Sequence, residues 1–405
     1  MVAAAFAAIA LFVGSWTVLH VGFYKHKQLI DTPVYQRYGN AIADGKVPYR
    51  DFALEYPPGA LPVFALPGLA KPGRDQQVST GFRRSFETIM WLCGAAALAA
   101  MAIVLRALRR STPNVWAALC FAAVAPLLLG SVLLSRYDLW PAALFAAALA
   151  ALVSGRLRLG HAFIGLAVTA KLYPAVLVPL SVAFVWRRAG RREALTCLGV
   201  ALGAIAAVFA PFVILSPGGV WQSLSQQLSR PLQVESLGSA LLLAGHHLFG
   251  LAVTGETSHG SQNLGGTAAD WMAFGSTVVQ GLVLIWIWVS FARGSGSREA
   301  LVRSSAATLC AFIAFGKVLS PQFPIWLIPI VPLVRGRRGL VATVLLGAAL
   351  VLTQTWFPFR YFRLALNFEE GLSWVLLARD LTLVALVAVL VVTLRRTTAT
   401  RPESP

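Results

Sequence analysis

Long runs of apolar residues, each about the length of a membrane-spanning helix, recur along this chain of 405 residues. A helix needs roughly 20 apolar residues to cross the hydrocarbon core of a bilayer. The strands of a barrel would instead alternate apolar and polar positions over shorter stretches, and the chain shows no such alternation. The pattern therefore predicts an all-α polytopic membrane protein. About eight full spans are predicted, near residues 2–23, 86–105, 115–134, 139–154, 194–215, 268–291, 339–357 and 372–394.

Two further apolar regions are each interrupted by a lysine and a following proline. The first is broken at Lys171 and Pro174, and the second at Lys317 and Pro321. Each half has about 12 residues, or roughly 18 Å of helix, which is too short for a bilayer core of roughly 30 Å. Each region is therefore predicted to be a re-entrant pair of half-helices that enters and leaves the membrane on the same side.

The composition supports this class of protein, with 57% hydrophobic and 12% charged residues. A soluble protein of this length has no interior large enough for so much apolar surface. The net charge of +18 is spread over the ends of the apolar runs. That spacing is typical of contacts with membrane lipids, so we expect no nucleic-acid partner. The four cysteines lie within apolar segments and lack the spacing of metal ligands or disulfides.

The distribution of arginine predicts which side of the membrane each loop occupies. The loops assigned to the cytoplasm contain 18 arginines against three acidic residues, as the positive-inside rule requires. Two long loops then lie on the outer face: the first long loop, residues 24–85, and the second long loop, residues 216–267. We expect a single membrane domain over residues 1–395 and a cytoplasmic tail over residues 396–405.

The first long loop concentrates carboxylates, tyrosines and prolines near one membrane face. Asp31 follows the first span closely, where a carboxylate could line a cavity at the membrane surface. Asp51 and Glu55 precede a Pro-Pro-Gly turn, and Tyr49 and Tyr56 flank them. Acidic residues in outer loops are often only solvated, and tyrosines often belong to an interfacial belt. The density of these residues favours a site without specifying one.

Lys171 and Lys317 are the most informative cations, because ionisable groups at membrane depth usually face a cavity or a partner. Each lysine ends a first half-helix, where a cation can simply offset the helix dipole. The N-terminus of the second half-helix points at the same apex, and a lysine beside a helix N-terminus suits a phosphate. Both interpretations stay open.

Arginine and aspartate occur close together at two further places. Arg136 and Asp138 lie in a tight outer turn, and Arg379 and Asp380 lie inside the last span. Neighbouring residues on a helix point about 100° apart, so we expect Arg379 and Asp380 to find different partners. Those partners are either other spans or an anionic ligand.

The second long loop offers Arg230, Gln233 and Glu235, which could contact a sugar or a pyrophosphate. His246 and His247 are adjacent but lack a third ligand at a suitable spacing, so no metal site is predicted. The chain has no phosphate-binding glycine loop, serine-triad motif or zinc signature.

The order of these motifs resembles glycosyltransferase family 87. The resemblance rests on D-x-x-x-Y-x-x-Y-G and G-x-x-P-Y-R-D-F-x-x-E-Y-P-P-G in the first long loop. It continues through S-R-Y-D-L-x-P, A-K-L-Y-P, R-P-L-Q-V-E-S-L and K-V-L-S-P-Q-F in the same order, and therefore extends over nearly the whole chain. The last motif adds Gln322 to the candidate substrate contacts.

The resemblance implies a GT-C-like enzyme of the bacterial plasma membrane with its active site on the outer face. Such enzymes take a sugar, here a hexose and by family expectation mannose, from a polyprenyl-phosphate donor. They pass it to a glycolipid or glycan hydroxyl of the envelope, typically with inversion. By resemblance Asp31 is the essential carboxylate. The implied substrate contacts are Tyr49, Asp51, Glu55, Tyr56, Arg136, Lys171, Arg230, Glu235, Lys317 and Gln322.

The implied chemistry needs a base for the acceptor hydroxyl and cations for the departing phosphate, but no cofactor. We expect no metal, because no paired-acid ligand set is evident. The main alternative is a transporter or flippase of lipid-linked sugars, since broken helices with charged apices also suit transporters. The carboxylate-rich first long loop favours the enzyme. A non-catalytic membrane scaffold would not explain the charges at membrane depth.

Overall fold

The computed structural model describes residues 1–25, 29–70 and 78–396, with side chains up to residue 392. The chain is 77% helical. The helices of the N-terminal half are α1 Val2–Val18, α2 Thr32–Ala43, α3 Pro62–Ala70, α4 Thr80–Ala107, α5 Thr112–Leu129, α6 Val132–Ser135, α7 Leu139–Val153, α8 Leu157–Ala170 and α9 Val178–Leu215. The remaining helices are α10 Pro217–Leu228, α11 Leu237–Phe249, α12 Thr267–Arg293, α13 Arg298–Ala314, α14 Gly336–Trp356, α15 Tyr361–Asn367 and α16 Glu370–Arg396.

Within the described residues, six helical segments are long and apolar enough to cross a membrane. They are Thr80–Ala107, Thr112–Leu129, Tyr173–Leu215, Thr267–Arg293, Gly336–Trp356 and Glu370–Val392. Two of the predicted spans form shorter helices, because α1 has 17 residues and α7 has 15. The prediction of an all-α polytopic membrane protein is confirmed. The predicted cytoplasmic tail lies almost entirely outside the described residues.

The first interrupted region has the predicted break at its lysine. α8 ends at Ala170, and Lys171 adopts an extended backbone with φ −160° and ψ 143°. A short 3₁₀ turn, Tyr173–Leu177, then leads into α9. The helical path of α9 is broken at Gly190, where φ is +82° and ψ is 173°. Gly190 therefore separates the second half-helix from the following predicted span, since glycine adopts this conformation without steric strain.

The second interrupted region differs from the prediction after its lysine. α13 provides the first half, but no α-helix begins at Pro321. The chain instead forms two short 3₁₀ turns, Phe323–Trp326 and Val331–Leu333. Prolines recur here at positions 321, 324, 329 and 332. Each lacks an N–H and crowds the preceding turn, so a continuous α-helix cannot form. This segment is nevertheless buried in the helical core.

The second long loop contains a small sheet that the sequence pattern did not predict. Its strands are β1 Leu232–Gln233, β2 Thr254–Ser258 and β3 Ser261–Gly265, and the antiparallel order is β1-β3-β2. His259 and Gly260 connect β2 to β3, and both have positive φ angles. Positive φ at both central residues is what a two-residue hairpin turn matching the twist of the strands requires. The sheet is packed beside α12 and α15.

The expectation that Arg379 and Asp380 find different partners is contradicted only in part: they form an ion pair, but Arg379 Nε and both Asp380 carboxylate oxygens have no hydrogen-bond partner among the described residues. Arg379 Nε lies 2.8 Å from Asp380 Oδ1 in α16, and both side chains are fully buried. Arg379 also reaches a second segment, because its Nη2 donates to the backbone oxygen of Glu235 at 2.6 Å. The long guanidinium arm bends back towards Asp380, although neighbouring positions on a helix point about 100° apart.

Candidate active site

Asp31 and Arg136 come together although 105 positions separate them in the sequence. Asp31 directly precedes α2, and Arg136 lies in the turn between α6 and α7. Arg136 Nη1 is ion-paired with Asp31 Oδ2, and the Tyr35 hydroxyl donates to the same oxygen at 3.4 Å. The side chains of Asp31 and Arg136 are 29% and 11% exposed. The carboxylate therefore keeps an accessible side while the arginine stays mostly covered.

Asp138 connects this turn to the break at Lys171. Its side chain is 1% exposed, and Oδ1 accepts hydrogen bonds from Lys171 Nζ and from Trp326 Nε1, each at 2.6 Å. The ammonium of Lys171 also lies 4.9 Å from the ring centre of Tyr137 and 5.1 Å from that of Trp326. Charge-assisted bonds and aromatic faces thus hold the ammonium, whose side chain remains 18% exposed.

Arg230 and Glu235 lie in the Arg230 segment, residues 229–236, which connects α10 to α11. Burial raises the pKa of Glu235 to about 7, although the positive charges of Arg379 and Arg230 oppose this shift. The Tyr361 side chain lies close enough to the Glu235 carboxyl for the two groups to shift each other's pKa. Burial also lowers the pKa of Arg230, and the neighbouring Glu235 counteracts it. The Arg230 segment therefore places a covered cation and a covered acid side by side.

Arg136 is also within electrostatic range of Glu235. Burial lowers the pKa of Arg136 to about 10, while Asp138, Tyr361 and Glu235 act in the opposite direction. Lys171 in turn feels the positive charges of Arg136 and Arg230. Three cations from three distant parts of the sequence therefore lie within one charged cluster. An anion such as a phosphate would gain from all three.

Tyrosines of the first long loop pack near this cluster, through the Tyr137 ring that also contacts Lys171. The Tyr56 ring lies 5.0 Å from the Tyr137 ring and 5.9 Å from the Tyr35 ring, centre to centre. Tyr49 is only 6% exposed, and its hydroxyl donates to the backbone oxygen of Tyr56 at 2.6 Å. The structure thus gives Tyr49 the position of a support for the loop. Its predicted stacking on a sugar stays a prediction, as does that of Tyr56.

The Pro-Pro-Gly turn brings the first long loop against the helix that ends at Lys171. Gly59 packs directly on Thr169, and its backbone oxygen accepts a hydrogen bond from Trp140 Nε1 at 3.0 Å. Any side chain at position 59 would place its Cβ only 2.3 Å from Thr169 Oγ1. A glycine therefore permits the close approach of the loop to the charged cluster.

Gly59→Ala should destabilise the protein by about 1–3 kcal/mol, because the added methyl group must displace the backbone at Thr169. A lower thermal midpoint in detergent would show this effect. Gly218→Ala in α10 is the matched control, since a Cβ there meets no atom within 4 Å. Equal midpoints for the two variants would mean that the turn is not tightly packed on α8.

The two other predicted acids of the first long loop make different contacts. Asp51 accepts from the Val47 amide at 2.7 Å and from Arg50 Nε at 2.9 Å, and its hydrogen bond to Arg50 lowers its pKa to about 2. Both partners lie within four residues of Asp51, so the carboxylate stabilises the turn formed by residues 47–51. Glu55 is exposed, and its carboxylate faces Gly260 at the tip of the β2–β3 hairpin. Its role, like that of Asp51, as a substrate contact stays a prediction.

Lys317 and Gln322 belong to the segment that follows α13, and Lys317 contacts the end of α10. Lys317 Nζ donates to the backbone oxygen of Leu228 at 3.2 Å. Gln322 is half-buried, and its Oε1 has no hydrogen-bond partner among the described residues. The structure therefore places Lys317 against the end of α10, while the predicted contacts of both residues with the donor stay predictions.

Three residues of the cluster, Asp138, Trp326 and Tyr361, are not among the site residues predicted from the sequence. Asp138 was visible in S-R-Y-D-L-x-P, but it was considered only as part of an outer turn. Trp326 and Tyr361 carry no local signal, because only the folded chain brings them to Asp138 and Glu235. A buried tryptophan is ordinary in an apolar segment until its N–H is found bonded to a carboxylate.

Several covered polar atoms of the cluster have no hydrogen-bond partner within the part of the chain that the structure describes. They are Arg136 Nε, Asp138 Oδ2, Arg230 Nε and Glu235 Oε2. Buried polar groups are normally hydrogen-bonded, so a concentration of exceptions favours a place for polar ligands. The fold and this cluster together define an integral-membrane protein with a cation-rich, carboxylate-containing site at one end of its helices.

Comparison with known families agrees with this class. The model of glycosyltransferase family 87 matches residues 54–321, about two-thirds of the chain. The chain belongs to glycosyltransferase family 87, and it is a membrane glycosyltransferase. No curated protein sequence matches it. The family match includes Arg136, Lys171 and Arg230, but Asp31 precedes it and Trp326 follows it.

The described residues contain no group of three or more His, Cys, Asp or Glu side chains arranged to hold a metal ion. The acidic residues of the cluster are each engaged with a different cation. Asp31 pairs with Arg136, Asp138 pairs with Lys171, and Glu235 lies near Arg230. These contacts occupy one oxygen of Asp31 and one of Asp138, and Asp138 Oδ2 and Glu235 Oε2 have no hydrogen-bond partner among the described residues.

Proposed function

We propose that this glycosyltransferase moves a hexose, mannose by family expectation, from a polyprenyl-phosphate carrier to a hydroxyl of an envelope glycolipid or glycan. The reaction takes place on the outer face of the bacterial plasma membrane, by inverting displacement. The observation that carries this proposal is the meeting of Asp31 with Arg136, next to Lys171 and Arg230. One accessible carboxylate thus pairs with Arg136, and Arg136 and Arg230 both lie within electrostatic range of Lys171.

The cations of this cluster suit the departure of the phosphate, and its carboxylate suits the attack of the acceptor hydroxyl. A sugar leaves its lipid phosphate more easily when fixed positive charges stabilise the oxygen that accumulates charge. The acceptor hydroxyl becomes a better nucleophile when a carboxylate removes its proton during attack. Asp31 is the proposed base, and Arg136, Lys171 and Arg230 are the proposed phosphate partners. This reaction requires no redox cofactor.

The broken helix at Lys171 explains how a lipid-linked phosphate could reach these charges. A chain that ends a helix at membrane depth exposes backbone polar groups only where protein or a polar cavity surrounds them. The sugar would then lie towards the first long loop, where Glu55 and Tyr56 are the proposed contacts. Glu235 and Gln322 are further proposed substrate contacts, because each has a covered side-chain oxygen without a hydrogen-bond partner among the described residues.

Transfer from a labelled donor tests the proposal directly. Purified protein in liposomes would receive radiolabelled polyprenyl-phosphate-mannose and a mixture of envelope glycolipids. A labelled glycolipid product with inverted anomeric configuration is the expected result. Movement of the donor between leaflets without transfer would indicate the flippase instead. A labelled product formed only from a nucleotide-sugar donor would overturn the lipid-phosphate proposal.

The outer position of the two long loops can be tested by thiol labelling in intact cells. Lys46→Cys and Thr257→Cys should react with a membrane-impermeant reagent, whereas Ser295→Cys, between α12 and α13, should not. All three positions are exposed. Of the native cysteines only Cys120 is partly accessible, so it is first replaced by serine. Reaction at position 295 with protection at position 46 would invert the topology.

A further inference from the structure

Lys317 contacts the backbone on both sides of Arg230. Lys317 Nζ donates to the backbone oxygen of Leu228, which is the last residue of α10. The backbone oxygen of the same lysine accepts from the Gln233 amide at 3.0 Å. Arg230 lies between these two attachment points. One residue outside the segment therefore fixes the backbone on either side of the arginine.

Further contacts fasten the C-terminal part of the Arg230 segment. The side chains of Gln233 and Ser320 bond to each other, with Gln233 Nε2 3.1 Å from Ser320 Oγ. The Val234 amide donates to the backbone oxygen of Gln262 in β3, at 3.0 Å. Arg379 adds its bond to the backbone oxygen of Glu235. The segment is thus held by three different parts of the fold.

The contact of Lys317 with Leu228 is one that a helix end normally needs. The last carbonyl groups of a helix have no partner inside the helix, and a cation there also meets the negative end of the dipole. Lys317 supplies this partner to α10 from a separate segment. Its ammonium is therefore committed to a backbone carbonyl, whereas the ammonium of Lys171 is committed to a carboxylate in the charged cluster.

We propose that Lys317 is a positioning residue for donor binding: it holds the Arg230 segment so that Arg230 meets the lipid phosphate, and does not bind the phosphate itself. This inference rests on the proposed function for the identity of the anion. Arg230 is suited to that task because its covered Nε lacks a hydrogen-bond partner among the described residues. Fixing the backbone on both sides lowers the entropy lost when the side chain binds.

The two possible roles of Lys317 require different chemistry. A bond to a carbonyl needs only an N–H donor, whereas a contact with phosphate gains most from a positive charge. Lys317→Gln keeps a donor without the charge, and Lys317→Met removes both. Binding of farnesyl phosphate to the purified protein in detergent measures the effect without requiring turnover. We expect Lys317→Met to weaken binding about tenfold and Lys317→Gln less than about threefold.

A double-mutant cycle identifies the residue through which Lys317 acts. In an Arg230→Ala protein, Lys317→Met should weaken binding further by less than about twofold, because the arginine that it positions is gone. In a Lys171→Met protein, the same change should retain its full effect of about tenfold. Equal loss from Lys317→Gln and Lys317→Met, or full additivity with Arg230→Ala, would overturn the positioning role and indicate direct phosphate contact.

Hydrogen exchange provides a readout that does not depend on the ligand. Lys317→Met should speed exchange of the Gln233 and Val234 amides while leaving the amides in the middle of α11 protected, since the loss is local. Unchanged exchange at Gln233 would overturn the proposal. If the wild-type protein binds no farnesyl phosphate, the proposed donor class fails, and this exchange measurement alone decides whether Lys317 holds the segment.

Discussion

Asp31→Asn should lower turnover by about 10²–10⁴-fold while the protein still binds its donor. The substitution preserves the shape of the side chain and removes its ability to accept the proton of the acceptor hydroxyl. The asparagine keeps a side-chain oxygen that can face Arg136, whose own side chain is 11% exposed, so the arginine retains an acceptor and some contact with solvent. Turnover with labelled donor and binding of farnesyl phosphate should be measured on the same preparations. We expect turnover to fall while the binding of farnesyl phosphate changes little.

Asp51→Asn is the matched control for this experiment. It makes the same chemical change in the same loop, but Asp51 pairs with the adjacent Arg50 and the Val47 amide. Turnover should therefore change far less than in Asp31→Asn, and any loss should fall on substrate binding. Near-normal turnover in Asp31→Asn together with its loss in Asp51→Asn or Glu55→Gln would mean that the base has been misassigned.

Lys171→Met should both weaken donor binding and destabilise the protein. Removing the ammonium would delete the charged hydrogen bond proposed between Lys171 and the phosphate, and such a bond is worth about tenfold to a hundredfold in affinity. It also leaves Asp138 buried with a carboxylate that has lost its cation. Breaking a buried ion pair by removing one partner typically costs about 3–5 kcal/mol. The thermal midpoint in detergent and the affinity for farnesyl phosphate measure the two effects separately.

The double variant Lys171→Met, Asp138→Asn separates these two consequences. The amide introduced by Asp138→Asn would keep an oxygen for the Trp326 N–H but carry no charge, so most of the lost stability should return. Donor binding should stay weak, because the cation is still absent. If binding recovers along with stability, Lys171 serves only to neutralise Asp138. If the single variant keeps both properties, neither role is correct.

Much of the fold could be predicted because helix length and apolar runs are local properties. The runs now found in α4, α12, α14 and α16 were visible directly in the sequence, and so was the break at Lys171. The sequence pattern predicts a helix that begins at Pro321, whereas the prolines at positions 324, 329 and 332 prevent a continuous α-helix and leave 3₁₀ turns. The small sheet was missed because its strands are short and polar.

The candidate site could be predicted as a set of residues but not as a set of pairs. The sequence motifs contain Asp31, Arg136, Lys171 and Arg230, and the structure brings these residues into one cluster. Which carboxylate meets which cation depends on how separate helices pack, and no local pattern reports that. The pairing of Lys171 with Asp138 therefore came only from the structure.

The bond between Trp326 and Asp138 has a consequence for how the protein is made. These two residues are 188 positions apart, whereas Lys171 follows Asp138 by only 33. Because a chain emerges from the ribosome N-terminus first, Asp138 and Lys171 enter the membrane well before Trp326 exists. A nascent chain that stops short of residue 326 therefore carries a buried aspartate with one of its two donors missing. The Asp138 carboxylate thus acquires its second donor only after residue 326 has been made, so this part of the core is completed late in synthesis.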